Sequence, residues 1–499
     1  MIRFVFRIFL IVFIVQSLIS FAKEPDVIYL QQTDIKGIPQ NQKVSDDGFV
    51  KSFYNKPIDV GIEINEYLRP EKVLPVSLED CICLAMEHNL DIKSSKAREK
   101  QFLWDYKNQK TKYYPDASYL FTLSNLNGAF LAGGVIPVLV NESPYQSQFW
   151  LDWVLYDGGY RSNKKKAAKN MYTSSQKEVA FTKEEVLRNT SISYYRMLGY
   201  KLKIEILTRN IEEIEKQLEI NKKLDASYNT NRSETALEGA KDKLFSAYRA
   251  YRTEQANLAN ILGIDVDMAI YPIDTRLYKV SLNNPNYTIE DLSSMALISR
   301  QDIEAIRLKI KALKCEQKTL TSEYLPNIAA HGMIGNVGNH RLGTYESRWV
   351  GLTMNYPFGK GFGAGTYTDY QRYNALIETA RIELENKLRD IRQNIITSYY
   401  GIKISQDRIN TSIEQVEKAN KTLYLGLLRL QAGGLYGDVL RSQDDKTNAR
   451  INLVDSVVDY NISQINMLFD TGAMSVYNLL QSKEVVPIDD PIFYEKIGE

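Results

Sequence analysis

Ser77-Leu78-Glu79-Asp80, followed by Leu84-Ala85, Asp91-Ile92 and Tyr114-Pro115, is written a second time as Thr288-Ile289-Glu290-Asp291, Met295-Ala296, Asp302-Ile303 and Leu325-Pro326. The offset is a constant 211 residues. Further on, Ser193-Tyr194-Tyr195 returns as Ser398-Tyr399-Tyr400, and Leu262-Gly263 has its counterpart in a close at Gly472. A unit of roughly 200 residues is too long for a solenoid repeat of about 20 to 50. One architectural half has been duplicated, so its contents decide the fold.

Each half opens on a helix. Ser77 with Asp80, and Thr288 with Asp291, put a hydroxyl N-cap three residues ahead of an acid, the pattern of a capping box. The first helix is expected to run to about Tyr113 and to stop before Pro115, because the residue ahead of a proline disfavours helix. A strand follows, with Ala117, Tyr119, Phe121 and Leu123 alternating against Ser118, Thr122 and Ser124. A turn-rich loop from Asn127 to about Ser147 leads to a second strand. There Phe149, Leu151, Trp153 and Leu155 alternate with Gln148, Trp150 and Asp152, and Asp157-Gly158-Gly159 ends it. A very long helix is then predicted from about Arg161 to about Asp225, on the order of 95 Å at 1.5 Å per residue. It carries a heptad seam at Leu207, Ile211, Ile214 and Leu218. The polar stretch Ser227 to Ser233 reads as a turn, and Leu237, Ala240, Leu244 and Ala247 phase a returning helix.

The second half replays this order. A strand through Ile328, Ala330 and Ile334 is followed by a shorter loop with Gly338 and Gly343. Val350, Leu352, Met354 and Tyr356 mark the apolar face of the fourth strand, closed by Pro357 and Gly359. Ile409, Ile413 and Val416 phase the next long helix. Ala432-Gly433-Gly434 makes its turn, and the return runs to Gly472. A shift of 211 superposes strand three on strand one, and a shift of 201 superposes strand four on strand two. The organisation read is 1–22 signal peptide, 23–74 irregular N-terminal arm, 75–264 first repeat, 265–287 linker, 288–472 second repeat and 473–499 C-terminal tail.

The 499 residues carry a net charge of +1. That balance removes the clustered positive charge a nucleic-acid partner requires. Arg3 and Arg7 precede an apolar run from Ile8 to Ile19, and Ser20-Phe21-Ala22 offers small residues for cleavage, so a secretory signal is expected. No other stretch reaches the roughly 18 apolar residues of a membrane helix. Cys81, Cys83 and Cys315 are an odd set for disulfides, and free thiols are expected. With three histidines (His88, His331, His340) and only the weak Cys81-x-Cys83 spacing, no catalytic, cofactor-binding or metal residue is assigned.

Strands of about nine alternating residues are long enough to cross a bilayer when tilted. Lipid tolerates no open sheet edge, and four strands cannot close a barrel, so several chains would have to pool theirs. On this phasing Tyr119, Phe121, Leu123, Phe149, Leu151, Trp153, Val350, Leu352 and Met354 face lipid. Asp152 and His331 face the lumen as water-facing polar residues. Trp150, Trp153, Trp349, Tyr156 and Tyr356, placed near strand ends, suit an interfacial aromatic belt. Helices of such length with narrow seams need lateral neighbours, as in a coiled-coil wall.

The doubled order of cap, helix, proline, strand, loop, strand, Asp-Gly-Gly, long helix, turn and long helix resembles the TolC-like outer-membrane efflux family over about residues 75 to 472. The pieces that carry it are Ser77-Leu78-Glu79-Asp80 with Ala85, Tyr114-Pro115, Leu155-Tyr156-Asp157-Gly158-Gly159, and the Gly434 turn leading to Asp438-Val439-Leu440. The resemblance implies a mixed α and β fold. A long coiled-coil-like α-helical barrel in the periplasm would join a transmembrane β-barrel in the bacterial outer membrane, shared by a homotrimer. It also implies a passive, cofactor-free exit duct for drug efflux or type I protein secretion, recruited by a periplasmic adaptor and an inner-membrane transporter. At the periplasmic entrance members often carry Asp-Val-Leu-Asp; here Asp438 matches the first acid, and Arg441 replaces the second. The alternative is a periplasmic or surface coiled-coil structural protein whose strands form a small soluble sheet. A secreted hydrolase would need a cleft for which the seams leave no room.

Overall fold

A computed structural model of the chain describes residues 73–132, 136–223, 227–265, 268–339, 343–433, 435–480 and 485–486, all within the unit Asp59–Glu499. The expected signal peptide, nearly all of the N-terminal arm, Asp225, His340, Gly434 and most of the C-terminal tail lie outside the described residues.

Both halves open as the caps predict. Ser77 Oγ accepts from the Asp80 amide while the Asp80 carboxylate accepts from the Ser77 amide, and Thr288 with Asp291 does the same. The opening helix is not one piece, however. It is α1 (Leu78–His88) and α2 (Leu90–Thr111), parted at Asn89 with ψ 131°. The break recurs 211 residues later at Arg300, ψ 127°, between α5 (Ile289–Ser299) and α6 (Gln301–Lys318), which runs on into a 3₁₀ turn at Thr319–Tyr324.

What forces the break lies far along the chain. Each half ends in a returning helix, α4 (Ser227–Leu262) and α8 (Tyr436–Asp470), closed by a left-handed glycine, Gly263 at φ +68° and Gly472 at φ +70°. Gly263 N–H donates to Asn260 O and Ile264 N–H to Ala259 O; Gly472 N–H donates to Phe469 O and Ala473 N–H to Leu468 O. Both are Schellman caps, which leave the last helical carbonyls in want of donors. Asn89 Nδ2 reaches Ile261 O at 2.7 Å, and one Arg300 guanidinium nitrogen reaches Phe469 O and Asp470 O at 3.3 Å each. The broken opening helix thus caps the closing one in each half.

The long helices are α3 (Tyr160–Lys223, 64 residues) and α7 (Ala364–Gln431, 68 residues), each about 100 Å long. α3 starts where the Asp157 carboxylate accepts from the Gly159 and Arg161 amides and pairs with the Arg161 guanidinium. The α3–α4 hairpin buries Ile214, Leu218, Leu237 and Ala240, with Ile211 packed against them. Leu207, Leu244 and Ala247 are buried as the seam predicts. α7 and α8 bury Ile409, Val416, Ala449, Leu453 and Val457. Ile413 departs from its reading: it is 41% exposed, because the 3.6-residue helix turns it off the narrow seam. The Ser227–Ser233 stretch is helical rather than a turn. Ser233 is fully buried, accepting from Asn221 Nδ2 and bonding the Tyr436 hydroxyl, so its polarity is satisfied between helices.

Around the middle of the helices the segment read as a linker carries β6 (Ala269–Pro272) and β7 (Lys279–Val280). β6 pairs in parallel with β1 (Val73–Val76), and β7 pairs with β10 (Val485–Val486). Lys201 donates to the carbonyls of Pro272 and Asp274, and Asn461 bonds both Val280 N and Tyr278 O, which ties the linker to α3 and α8.

The strands are β2 (Asp116–Leu123), β5 (Tyr145–Asp157), β8 (Asn327–Asn339) and β9 (Gly343–Asn355). Three of them have 13 residues rather than about nine. Gly338 and Gly343 lie inside the β8–β9 hairpin rather than in a loop. Much of the expected loop after Asn127 is likewise a ribbon, β3 (Leu126–Ala132) against β4 (Ile136–Glu142). Its sequence is apolar at consecutive positions, so it shows no alternation to read. The sheet is antiparallel in the order β2-β5-β8-β9, with the β5–β8 pairing joining the halves.

Candidate functional site: the strand sheet and the helical tip

The sheet register decides which residues share a face. Tyr119 stands opposite Phe149, Phe121 opposite Ser147 and Leu123 opposite Tyr145. Leu151 stands opposite Gly332, which faces Val350; Trp153 stands opposite Ala330, which faces Leu352. A bulge at Leu155 shifts the phase, so that Tyr156 is the residue opposite Ile328, which faces Met354. All nine residues predicted to face lipid therefore lie on one face. Within one chain they are left uncovered, from 43% exposed at Leu151 to 88% at Val350. Water is a poor solvent for that much contiguous apolar surface.

The other face is polar and aromatic. Asp116, Asp152, His331 and Gly351 form one row, and Ser118, Trp150, Met333 and Trp349 the next. Asp152 Oδ1 lies 2.5 Å from His331 Nδ1. Trp150 and Trp349 are thus on the face opposite the nine, at mid-strand, and do not belong to an outer aromatic belt. Strand alternation had already grouped Trp150 with Gln148 and Asp152; distance from a strand end was the weaker guide.

Neither β2 nor β9 has a partner on its outer edge among the described residues. No helix among the described residues is long and apolar enough to cross a membrane.

At the far end of the helices, α8 begins at Tyr436 beside the turn at Gly433, φ +90°. The two hairpins are laced there by side chains. The Tyr436 hydroxyl donates to Gln217 Oε1, Gln217 Nε2 donates to Gln443 Oε1, and Gln443 Nε2 donates to Asn210 Oδ1. Asp438 and Arg441 are both exposed, three residues apart and hence on one side of the first turn. Asp438 sits where a helix N-terminus favours a carboxylate.

Sequence reading missed the ionic cluster under the second helix break. Arg300 is buried, with a guanidinium nitrogen 2.7 Å from Asp302 Oδ2, and Lys387 reaches the same carboxylate oxygen at 3.2 Å. Burial works to raise Asp302, but the Arg300 bonds and charge and then Lys387 carry its pKa below the ordinary value. Asp470, bonded by Ser398 Oγ at 2.7 Å, is raised because burial outweighs that bond and the nearby Arg300. Glu184 is raised to about 7, chiefly by burial, with Arg300 opposing and Asp302 adding. The Phe181 and Phe469 rings, tilted 43° to each other, lie beside the guanidinium. A signal for this cluster existed in the offset that carries Asn89 onto Arg300.

The three cysteines are unpaired: Cys81 is buried, Cys83 exposed and Cys315 between the two.

Residues 292–472 match the sequence model of the outer membrane efflux protein family. No curated protein matches the chain. Among solved structures it is similar to the Campylobacter jejuni CmeC outer membrane channel, at 15% identity and a TM-score of 0.70, over 79% of this chain and 85% of that one. It is similar to the Vibrio cholerae outer membrane protein VceC at 15% identity and TM-score 0.67, over 79% and 96%. The open state of the Neisseria gonorrhoeae MtrE outer membrane channel matches at 14% identity and TM-score 0.65, over 79% and 88%. The second repeat thus carries the sequence pattern of the outer membrane efflux protein family, and the chain has the helical-barrel and β-barrel fold of these channels.

Proposed function

We propose that the chain is one third of a passive exit duct. Three copies would pool their sheets into a twelve-stranded barrel in the outer membrane, and their long helices would form a tunnel in the periplasm. The observation that carries this reading is a four-stranded sheet with nine large apolar residues exposed on one face, and with β2 and β9 as edges that have no outer partner among the described residues. In lipid those edges must find partners, and the β2 edge of one copy meets the β9 edge of the next without any other element being required. The nine outward residues then face acyl chains instead of water. Cargo would arrive from an inner-membrane transporter through a periplasmic adaptor, as in drug efflux or type I secretion; genes encoding those two components beside this one would support the assignment.

Membrane fractionation tests the reading. Release only by detergent, a trimer band in mild SDS and ion current in planar bilayers are expected. Release of a lone copy by osmotic shock would instead favour the soluble coiled-coil alternative. At the entrance, three Asp438 and three Arg441 are proposed to ring the constriction. Arg441→Asp should then raise the preference for cations, read as a reversal potential under a salt gradient; an unmoved reversal potential rejects the ring.

A further inference from the structure

The polar face of the sheet carries a built arrangement that a plain water-filled wall does not need. Trp150 and Trp349 flank Met333 across three strands, with ring centroids 6.2 Å apart. Trp150 is oriented by its Nε1, which donates to Gln148 Oε1 at 3.2 Å. Gln148 is itself buried. The Trp349 ring lies across Gly351, where an added Cβ would stand 2.6 Å from the ring, and so reaches His331. Those two rings stack at 6.1 Å and 28°. His331 is in turn held by the Asp152 carboxylate, and Asp116 stands directly opposite Asp152 on the next strand. The result is a shelf of three aromatic rings with two carboxylates along one side. Among the described residues of the four strands no lysine or arginine stands on this face; Arg348, on β9, is on the other and pairs with Glu346.

Indole faces attract cations, and neighbouring carboxylates supply the counter-charge. A compact metal ion would keep its water and ignore the rings. An organic cation, weakly hydrated and with apolar flanks, gains from both. We infer that this shelf binds organic cations of the quaternary-ammonium or pyridinium class, which makes cationic amphiphiles a cargo that the duct engages on its way out. The inference rests on the channel reading for its place in a lumen, but binding to the shelf can be measured without current.

The full chain in detergent is titrated with N-butylpyridinium, a cationic quencher of tryptophan fluorescence, and with uncharged acrylamide for comparison. Saturable quenching is expected from the pyridinium and non-saturating quenching from acrylamide. Asp152→Asn, which keeps the side-chain shape, and Trp349→Ala should each raise the half-saturating concentration about tenfold. In planar bilayers the same cation should reduce the wild-type current, and both variants should relieve the block. Quenching that fails to saturate, or that both variants leave unchanged, overturns the shelf whether or not the protein conducts. Saturable quenching that the variants weaken supports the shelf even if no current flows, in which case the channel reading falls alone.

Discussion

In the first half the helix break is held by Asn89, an uncharged side chain that caps its own helix through the Ile92 amide and the closing helix through Ile261 O. In the second it is held by Arg300, a buried cation bonded to Asp302, Phe469 O and Asp470 O, with two phenylalanine rings beside it. The backbone on either side is the same in both: capping box, short helix, break, long helix, and a Schellman-closed return. Duplication has kept the demand and let the donor change. The demand is for hydrogen-bond donors at carbonyls that a left-handed glycine leaves uncapped, and an amide or a guanidinium meets it equally. What differs is the consequence of failure. An asparagine takes only its own bonds with it, whereas an arginine leaves a buried acid behind.

Arg300→Ala should therefore be the most damaging change of its kind, on the order of 3–5 kcal/mol, because Asp302 stays buried with Lys387 alone and the helix-end carbonyl of Asp470 loses its side-chain donor. Asn89→Ala should cost about 1–2 kcal/mol. Denaturant midpoints of the two variants compare them directly. Equal losses would mean that the charge at Arg300 adds nothing to the cap, and the contrast between the halves would collapse to geometry.

Where the halves share an environment, matched substitutions should match in cost. Leu151 and Leu352 correspond under the 201-residue shift and lie on the same sheet face. Arginine at either should lose about 2–4 kcal/mol near the bilayer midplane, seen as loss of the trimer band from membranes. Leu120→Arg, on the polar face, should be tolerated far better. A large loss at one leucine and none at the other would place only one hairpin in lipid. The two glycines offer a finer comparison. Gly263→Ala and Gly472→Ala each force a left-handed alanine, about 1–2 kcal/mol. The new Cβ would lie 2.5 Å from His88 O in the first case and 2.9 Å from Arg300 N in the second, so the first half should suffer more. Thermal midpoints in the reverse order would mean that the Asn89 segment yields more readily than the Arg300 segment.

Features set locally could be read from the chain: both capping boxes, the Leu207–Leu218 seam, the shared face of nine strand residues and the end of β5 at Asp157. Each depends on spacings of two to seven residues. The breaks at Asn89 and Arg300 could not, since their reasons lie 172 and about 170 residues downstream, and neither residue type announces one. The β3–β4 ribbon was missed because period-two reading needs polar partners, and from Ala129 to Val140 there are none. The shelf of Trp150, Trp349 and His331 spans three strands. Alternation placed Trp150 correctly, but only the pairing register brings Trp349 beside it.

The smallest effect isolates the ionic character of the second break. Glu184 lies near Arg300 and Asp302 and titrates at about 7 in the folded chain, above the ordinary carboxylate value. A raised acid is protonated in the folded state where the unfolded chain has already lost its proton, so stability falls as pH rises from about 4.5 toward 7 and levels off above. Glu184→Gln removes the ionisation. It should leave the unfolding midpoint unchanged near pH 4.5 and raise it at pH 8, by about 1 kcal/mol once partial exposure is allowed for. Asn89 offers no titrating group, so an Asn89→Ala background should preserve this pH-dependent gain, whereas Arg300→Ala should alter it by removing the cation that opposes the shift. A gain that is the same at both pH values would show that Glu184 is not raised in the folded chain, and a pH-dependent gain untouched by Arg300→Ala would show that Glu184 answers to burial alone and that the cluster under the second break is electrically silent.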